Sequence, residues 1–221
     1  MTVIKVAHIF ASKVSFNSGD YTIGIAYKQH FKEIILKNDN VLFTSLDARD
    51  KSLYNDKNIN KLNNYDYILI GGGGLILPDT CPNLISCWQW IISKDNINKI
   101  TKPIYVSSIG YNLFYNQNIN MYIRENGHEN KSRISIFKEN ITTLINKAEK
   151  FTLRHNGDVN KLIDIIGEEY RNKISYEMCK TVWYVNKYWK PKINKEDQKY
   201  IAIEIKDDRQ WRRYHKIGIK K

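Results

Sequence analysis

Short apolar runs alternate with stretches of helical periodicity along most of this chain, and no other feature restricts its fold so strongly. Residues 3–10, 41–46, 65–70, 103–110 and 151–154 each have the length and apolar content of a buried strand. Between them, Ile23, Tyr27, Phe31, Ile34 and Ile35 recur at helical spacing, and Ile85, Trp88, Ile91 and Ile92 do so behind Pro82. Ile134, Phe137, Ile141, Leu144 and Ala148 mark a further helix, and Val159, Leu162, Ile163 and Ile166 another. Pro82 suits the first turn of its helix, where a missing N–H costs nothing. Asp158 is placed as an N-cap and Gly167 as a helix stop. Apolar strands separated by helices imply a parallel sheet covered on both faces by right-handed crossovers. The expected fold class is α/β, a Rossmann-like doubly wound parallel sheet.

At 221 residues the chain accommodates one good core, or one domain and the beginning of a second. After Gly167 the alternation weakens through a segment rich in Tyr, Trp and Lys, and Pro191 with the polar run behind it reads as a linker. A new apolar run begins at 200 and ends at 205. The expected organisation is a lobe over 1–190 and, over 191–221, a linker and the first strand of a second lobe whose remainder is missing. An extra strand completing the first sheet is an equally economical reading of 200–205.

Lys and Arg total 35 against 23 acidic residues, a formal net charge of +12. Such an excess raises the possibility of a nucleic-acid partner. Lys, Asn and Ile are abundant together throughout, however, which is what a compositional bias produces, and no arginine-rich arm or zinc-knuckle spacing accompanies the charge. Charge alone gives nucleic acid little support; an anionic small molecule remains compatible with it. Cys81, Cys87 and Cys179 are odd in number and lack metal-ligand spacing, so they read as reduced thiols, with neither a disulfide framework nor a metal site expected. Residues 3–10 are too short for a signal peptide and carry Lys5 at their centre, and no run approaches transmembrane length. A cytoplasmic protein without a membrane span is the expectation.

In a parallel α/β sheet, ligands bind beyond the carboxyl ends of the strands, where helix N-termini present unpaired N–H groups. The loop after the first strand contains Asn17, Ser18, Gly19 and Asp20, in which Gly19 permits close backbone approach and Asp20 can cap the following helix. After the third strand come Gly71, Gly72, Gly73 and Gly74. Four consecutive glycines cost much backbone entropy on folding, so a chain that keeps them uses positive φ or needs its backbone to touch something closely. They form neither a phosphate-binding loop ending in Gly-Lys-Ser/Thr nor the spaced dinucleotide fingerprint, so nucleotide binding is not indicated. A tight turn against neighbouring groups accounts for any single glycine as well as a ligand does, and for all four less well. Gly110 closes the fourth strand. Arg154 closes the fifth, where a guanidinium can hold a carboxylate or phosphate in two-pronged fashion. His155 beside it reads as an exposed turn residue, His8 as a core histidine, and Trp88 and Trp90 as one buried and one exposed residue of a helix.

Three of these segments, taken in order, resemble the polysaccharide pyruvyl transferases: Asn17-Ser18-Gly19-Asp20, the strand 65–70 running through Gly71-Gly72-Gly73-Gly74 to Leu75 and Ile76, and Leu153-Arg154 ahead of Leu162 and Gly167. The tryptophan-bearing segment and the Lys102-Pro103 entry to the fourth strand are similar as well, and the likeness spans about the first 170 residues. The resemblance implies the N-terminal lobe of a fold like that of GT-B glycosyltransferases. It also implies phosphoenolpyruvate as donor, a glycan or other sugar as acceptor, and no separate cofactor. Asn17, Gly19, Asp20, the four glycines, Gly110 and Arg154 are then the expected substrate-binding residues. Catalytic residues are unassigned: Arg213, Tyr214 and His215 match the letters of the family's Arg-x-His motif but not its context, and His155 stands where the family has Asp. A catalytically inactive sugar-binding lobe and a GT-B-type glycosyltransferase lobe are the alternatives.

Overall fold

The computed structural model describes residues 3–12, 18–37, 40–76, 83–112 and 130–189. The chain divides into two units, Met1–Trp189 and Lys190–Lys221, and every described residue belongs to the first. Asn17, Cys81, Pro82, the run at 200–205 and Arg213, Tyr214 and His215 lie outside the described residues.

Six strands, β1 (Ile4–Phe10), β2 (Val41–Asp47), β3 (Tyr67–Gly71), β4 (Ile104–Ile109), β5 (Lys150–Leu153) and β6 (Ile174–Tyr176), form one parallel sheet in the order β2-β1-β3-β4-β5-β6. The helices are α1 (Ser18–His30), α2 (Lys94–Lys99), α3 (Asn130–Lys147), α4 (Asn156–Ile166) and α5 (Lys180–Tyr188). The pleat sends alternate residues of each strand to opposite faces. Ala7, Ile9, Ile68, Ile70, Ile104 and Val106 go to the core shared with α2, α3 and α4, and each fully buried isoleucine or valine side chain contributes about 1.5–3 kcal/mol. Val6, Phe10 and Leu69 meet Ile23, Tyr27 and Phe31 of the α1 side. Helices thus cover both faces, and the fold is the expected Rossmann-like doubly wound α/β sheet. Among the described residues no helix is long and apolar enough to cross a membrane.

Several local expectations are overturned. No helix carries Ile85, Trp88, Ile91 and Ile92; residues 84–90 form successive bends and α2 starts only at Lys94. Side-chain hydrogen bonds outcompete the helix there. Asn83 Oδ1 accepts from the Ile85 and Ser86 N–H groups, and the Ser86 hydroxyl reaches the Trp90 carbonyl at 2.6 Å. Cys87 takes a left-handed backbone, φ 59°. In this conformation Trp88 and Trp90 are both fully buried, in edge contact at 5.9 Å, which corrects the expectation of one buried and one exposed indole. Trp88 Nε1 donates to Asn140 Oδ1 at 2.7 Å, and Asn140 in turn donates to the Ile92 carbonyl, so the polar atoms of both side chains are satisfied inside the core.

The first helix also departs from its expected face. Beyond His30 the chain widens into a π-helical segment, Phe31–Leu36, and this change of phase leaves Ile34 and Ile35 exposed while Phe31 stays buried. Asp158 is not the N-cap of α4. His155 occupies that position without a side-chain cap, and Asp158 sits within the first turn, buried, accepting the Tyr111 N–H. After Gly167, whose φ of 117° ends α4 as expected, the alternation continues through β6 and α5. Among the described residues the sheet ends with the strand 174–176, and α5 packs beside α1, with His30 edge-on to Trp183 and Glu33 accepting from Lys187 and Tyr188.

His8 is the expected core histidine. It is stacked on Phe10 and Tyr27, and its Nε2 lies 3.1 Å from the Gly71 carbonyl, to which the Nε2-protonated tautomer donates. Burial brings its pKa down from 6.5 to about 4, so the folded state holds it neutral. Between those values the unfolded chain binds the proton that the folded chain refuses, so stability is lost as pH falls from 6.5 towards 4, by about 3 kcal/mol if the full shift is realised. Chemical denaturation of the protein and of His8→Gln across that range checks this. The difference between the two stabilities should grow as pH rises and level off above 6.5; parallel curves would show that His8 is not the titrating group.

Candidate functional site

In the observed strand order the chain turns one way from β1 to β2 and the other way from β3 onward. The carboxyl ends of β1 and β3 therefore flank the switch point at which open parallel sheets take up ligands. The glycine loop leaves β3 there. Gly72 and Gly73 have φ values of 77° and 74°, the left-handed region that favours glycine. The loop is closely tied to its neighbours. Gly72 N–H donates to the Ser107 carbonyl, Gly110 N–H to the Gly73 carbonyl, Ile76 N–H to the Gly110 carbonyl and Asn112 N–H to the Ile76 carbonyl, at 2.8–3.1 Å. The β3–β4 pairing thus continues past the glycines to a bridge between Ile76 and Tyr111.

Close approach explains most of the glycines. A Cβ on Gly71 would stand 2.7 Å from the Tyr27 ring, one on Gly72 would overlap Ile23, and one on Gly74 would overlap the Asn112 amide. Gly73 has room beside it, 3.5 Å from Asp20 Oδ1 and 3.6 Å from Ile23 Cδ1, and is required by its φ. Gly71, Gly72 and Gly73 are buried and Gly74 is partly exposed. Among the described residues no hydrogen bond engages the N–H of Gly73 or Gly74.

Gly110 makes room for Arg154, whose guanidinium occupies the space a Cβ on Gly110 would need. Arg154 Nη2 donates to Asn112 Oδ1 at 2.7 Å, and among the described residues its buried Nε has no hydrogen-bond partner. The strand beneath is irregular. The β4–β5 register shifts between Val106 and Ile109, and Ser108 adopts φ 49°. Such a bulge bends the strand and re-aims the residues beyond it. The left-handed Ser108 is held by its N–H on Thr152 Oγ1 at 2.8 Å and its hydroxyl on the Met178 carbonyl at 3.0 Å.

Asp20 stands in the first turn of α1 and not at its N-cap, since the helix already includes Ser18. Its pKa is raised by desolvation, against the pull of Arg49 and Arg154, with Asp47 adding to the rise. The carboxyl ends of the strands thus bring together Gly19, Asp20, Gly71 to Gly74, Gly110 and Arg154, every expected site residue except Asn17. They also bring in Asp47, Arg49 and Asn112. Asp47 is buried, its Oδ1 accepts the Arg49 N–H at 2.8 Å and faces Arg49 Nε at 3.5 Å, and its carbonyl accepts from Tyr54. Compared with known proteins, the chain matches no family model, no curated protein and no solved structure.

Two arginines and two carboxylates meet at this edge, so the site is polar without a large excess of either sign. A guanidinium with an unused buried donor can hold a carboxylate or phosphate oxygen. A carboxyl whose pKa is raised in a cleft is a candidate for donating a proton. His155 is exposed at the N-cap of α4, as expected of a turn residue. Among the described residues no group of three His, Cys, Asp or Glu side chains could hold a metal ion.

Proposed function

We propose that this lobe binds phosphoenolpyruvate in the cleft formed by the glycine loop, Gly110 and Arg154, as part of a pyruvyl transferase-like protein acting on a sugar. The observation that carries the reading is Arg154, its guanidinium seated over Gly110 with a buried Nε that has no hydrogen-bond partner among the described residues. The order of the sequence segments resembling pyruvyl transferases supports the choice of donor. In the reaction, one sugar hydroxyl adds to C2 of the enol ester while C3 takes up a proton from an acid and becomes a methyl group, and the proton that the hydroxyl loses returns to the conjugate base of that acid. A second hydroxyl then displaces phosphate from C2, closing the ketal, and its proton leaves with the phosphate. Arg154 would hold the donor's carboxylate or phosphate, where fixed charge is worth most against the charge that develops as phosphate leaves. Asp20 is our candidate for the proton donor to C3, because its raised pKa keeps a larger protonated fraction than an ordinary aspartate has.

Calorimetric titration of the protein with phosphoenolpyruvate tests this. Saturable heat with a sub-millimolar dissociation constant is expected, and a silent titration at millimolar donor would sink the reading. The near balance of Asp20 and Asp47 against Arg49 and Arg154 favours a second reading, a lobe that binds a neutral, hydroxyl-rich sugar without donor chemistry. A sugar that stabilises the protein to heat while phosphoenolpyruvate does not would select it.

A further inference from the structure

Towards the amino-terminal ends of β3, β4 and β5, away from the glycine loop, a cavity of about 300 Å³ opens between α1, α5 and the sheet. That volume lies at the lower end of the range, about 300–1,000 Å³, in which small-molecule sites fall. Its lining is mostly apolar and aromatic, made by Tyr27, Phe31, Leu36, Tyr67, Leu69 and Tyr105. Three of these rings line up along one side: Phe31 lies 6.5 Å from Tyr67, which lies 6.2 Å from Tyr105, both pairs tilted at 57°. Unlike a sealed core seam, this wall stays accessible, for Tyr67 and Tyr105 are only partly buried.

The rim is cationic. Lys150 and Lys180 both direct their ammonium groups at one oxygen, Glu177 Oε1, at 3.2 and 2.8 Å. The other oxygen, Oε2, accepts from the hydroxyls of Ser107 and Thr152 at 2.7 and 2.8 Å. A single carboxylate with both oxygens engaged therefore serves two ammonium groups, which leaves one positive charge in excess among the lining side chains, while Glu149, next to Lys150 in the chain, acts on Tyr105 from outside the lining. His30 on the same rim has its pKa lowered by desolvation and adds no charge at neutral pH. An apolar aromatic wall beneath two lysines that share one carboxylate is complementary to a molecule that is flat and aromatic at one end and anionic at the other.

We propose that this cavity binds a small aromatic anion, with its rings against Phe31, Tyr67 and Tyr105 and its carboxylate or sulfonate between Lys150 and Lys180. The site is separate from the glycine cleft. Tyr27 forms the partition, its ring against Gly71 and its hydroxyl donating to the Ser107 carbonyl at 2.8 Å.

The probe is 8-anilinonaphthalene-1-sulfonate, monitored by its fluorescence on the full chain, with the neutral N-phenyl-1-naphthylamine for comparison. One saturable site is expected, with the neutral compound binding roughly tenfold more weakly for want of the ion pair. Leu36→Trp, which fills the cavity, should weaken the sulfonate by about tenfold or more. Lys150→Gln, at a half-exposed side chain, should weaken it severalfold and flatten its salt dependence, and it keeps the test decisive if Leu36→Trp does not fold. Arg154→Met should leave it unchanged, which separates this site from the phosphoenolpyruvate reading. Absence of saturable binding, equal affinity for the neutral compound, indifference to both cavity variants, or loss of binding in Arg154→Met would each overturn the proposal.

Discussion

Replacing Arg154 with methionine should weaken phosphoenolpyruvate binding by roughly 10- to 100-fold, because a hydrogen bond to a charged partner contributes about 1.5–3 kcal/mol. The methionine retains most of the apolar stem and removes the planar fork that lies over Gly110. Asn112 Oδ1 loses its donor at 2.7 Å but is only partly buried, so water replaces the bond at small cost and the melting temperature should change little. Arg154→Lys separates charge from geometry. A lysine keeps the positive charge but cannot present two parallel donors or reach Asn112 and the ligand together, so its affinity should fall between those of the other two proteins. Calorimetry on all three, with circular dichroism melts as the control for folding, gives the comparison. If Arg154→Met binds phosphoenolpyruvate as tightly as the unaltered protein, the cleft beside Gly110 is not the donor site.

The parts of this molecule that sequence made legible are those where a local pattern has a single tertiary outcome. Apolar runs such as 65–70, too short for a helix and running straight into glycines, match a buried strand, and Tyr67–Gly71 form β3. Ile134, Phe137, Ile141 and Leu144 define one helical face, and all but Ile134 are fully or almost fully buried in the core beneath α3. The segment 83–92 shows how such a pattern fails. Its apolar spacing is that of a helix, yet Asn83 and Ser86 bind the backbone through their side chains, and two indoles gain more from the core than an amphipathic helix could give them. Strand β6 escaped because three residues, of which only Ile174 is buried, carry too little periodicity to register. The candidate site was legible in the same partial way. The rule that ligands meet the carboxyl ends of strands pointed to Asp20, the glycines, Gly110 and Arg154. Applied to the exit of β2 as well, it would have reached Asp47 and Arg49. Asn112 gave no signal, since only the extension of the β3–β4 pairing beyond Gly110 carries it to the guanidinium.

Substituting alanine at three glycines should separate structural need from functional need. Gly72→Ala is expected to destabilise the fold by about 2–4 kcal/mol. The left-handed backbone costs an L-residue roughly 1–2 kcal/mol, and the new methyl meets Ile23, a buried β-branched side chain on α1 with no free rotamer to retreat into. Gly110→Ala meets a different obstacle, the far end of the long Arg154 side chain, which can swing aside. Its melting temperature should therefore drop much less than that of Gly72→Ala, while its affinity for phosphoenolpyruvate falls as far as in Arg154→Met. Gly157 is the internal control. It lies in α4 with nothing within 4 Å of an added Cβ, so alanine there should leave ligand binding alone and stabilise the helix by up to about 1 kcal/mol. Urea denaturation and calorimetry on the three variants give both readouts. A Gly72→Ala protein as stable as its parent would mean that the loop can abandon its left-handed path. A Gly110→Ala protein with undiminished affinity would mean that Arg154 does not act from its position over Gly110.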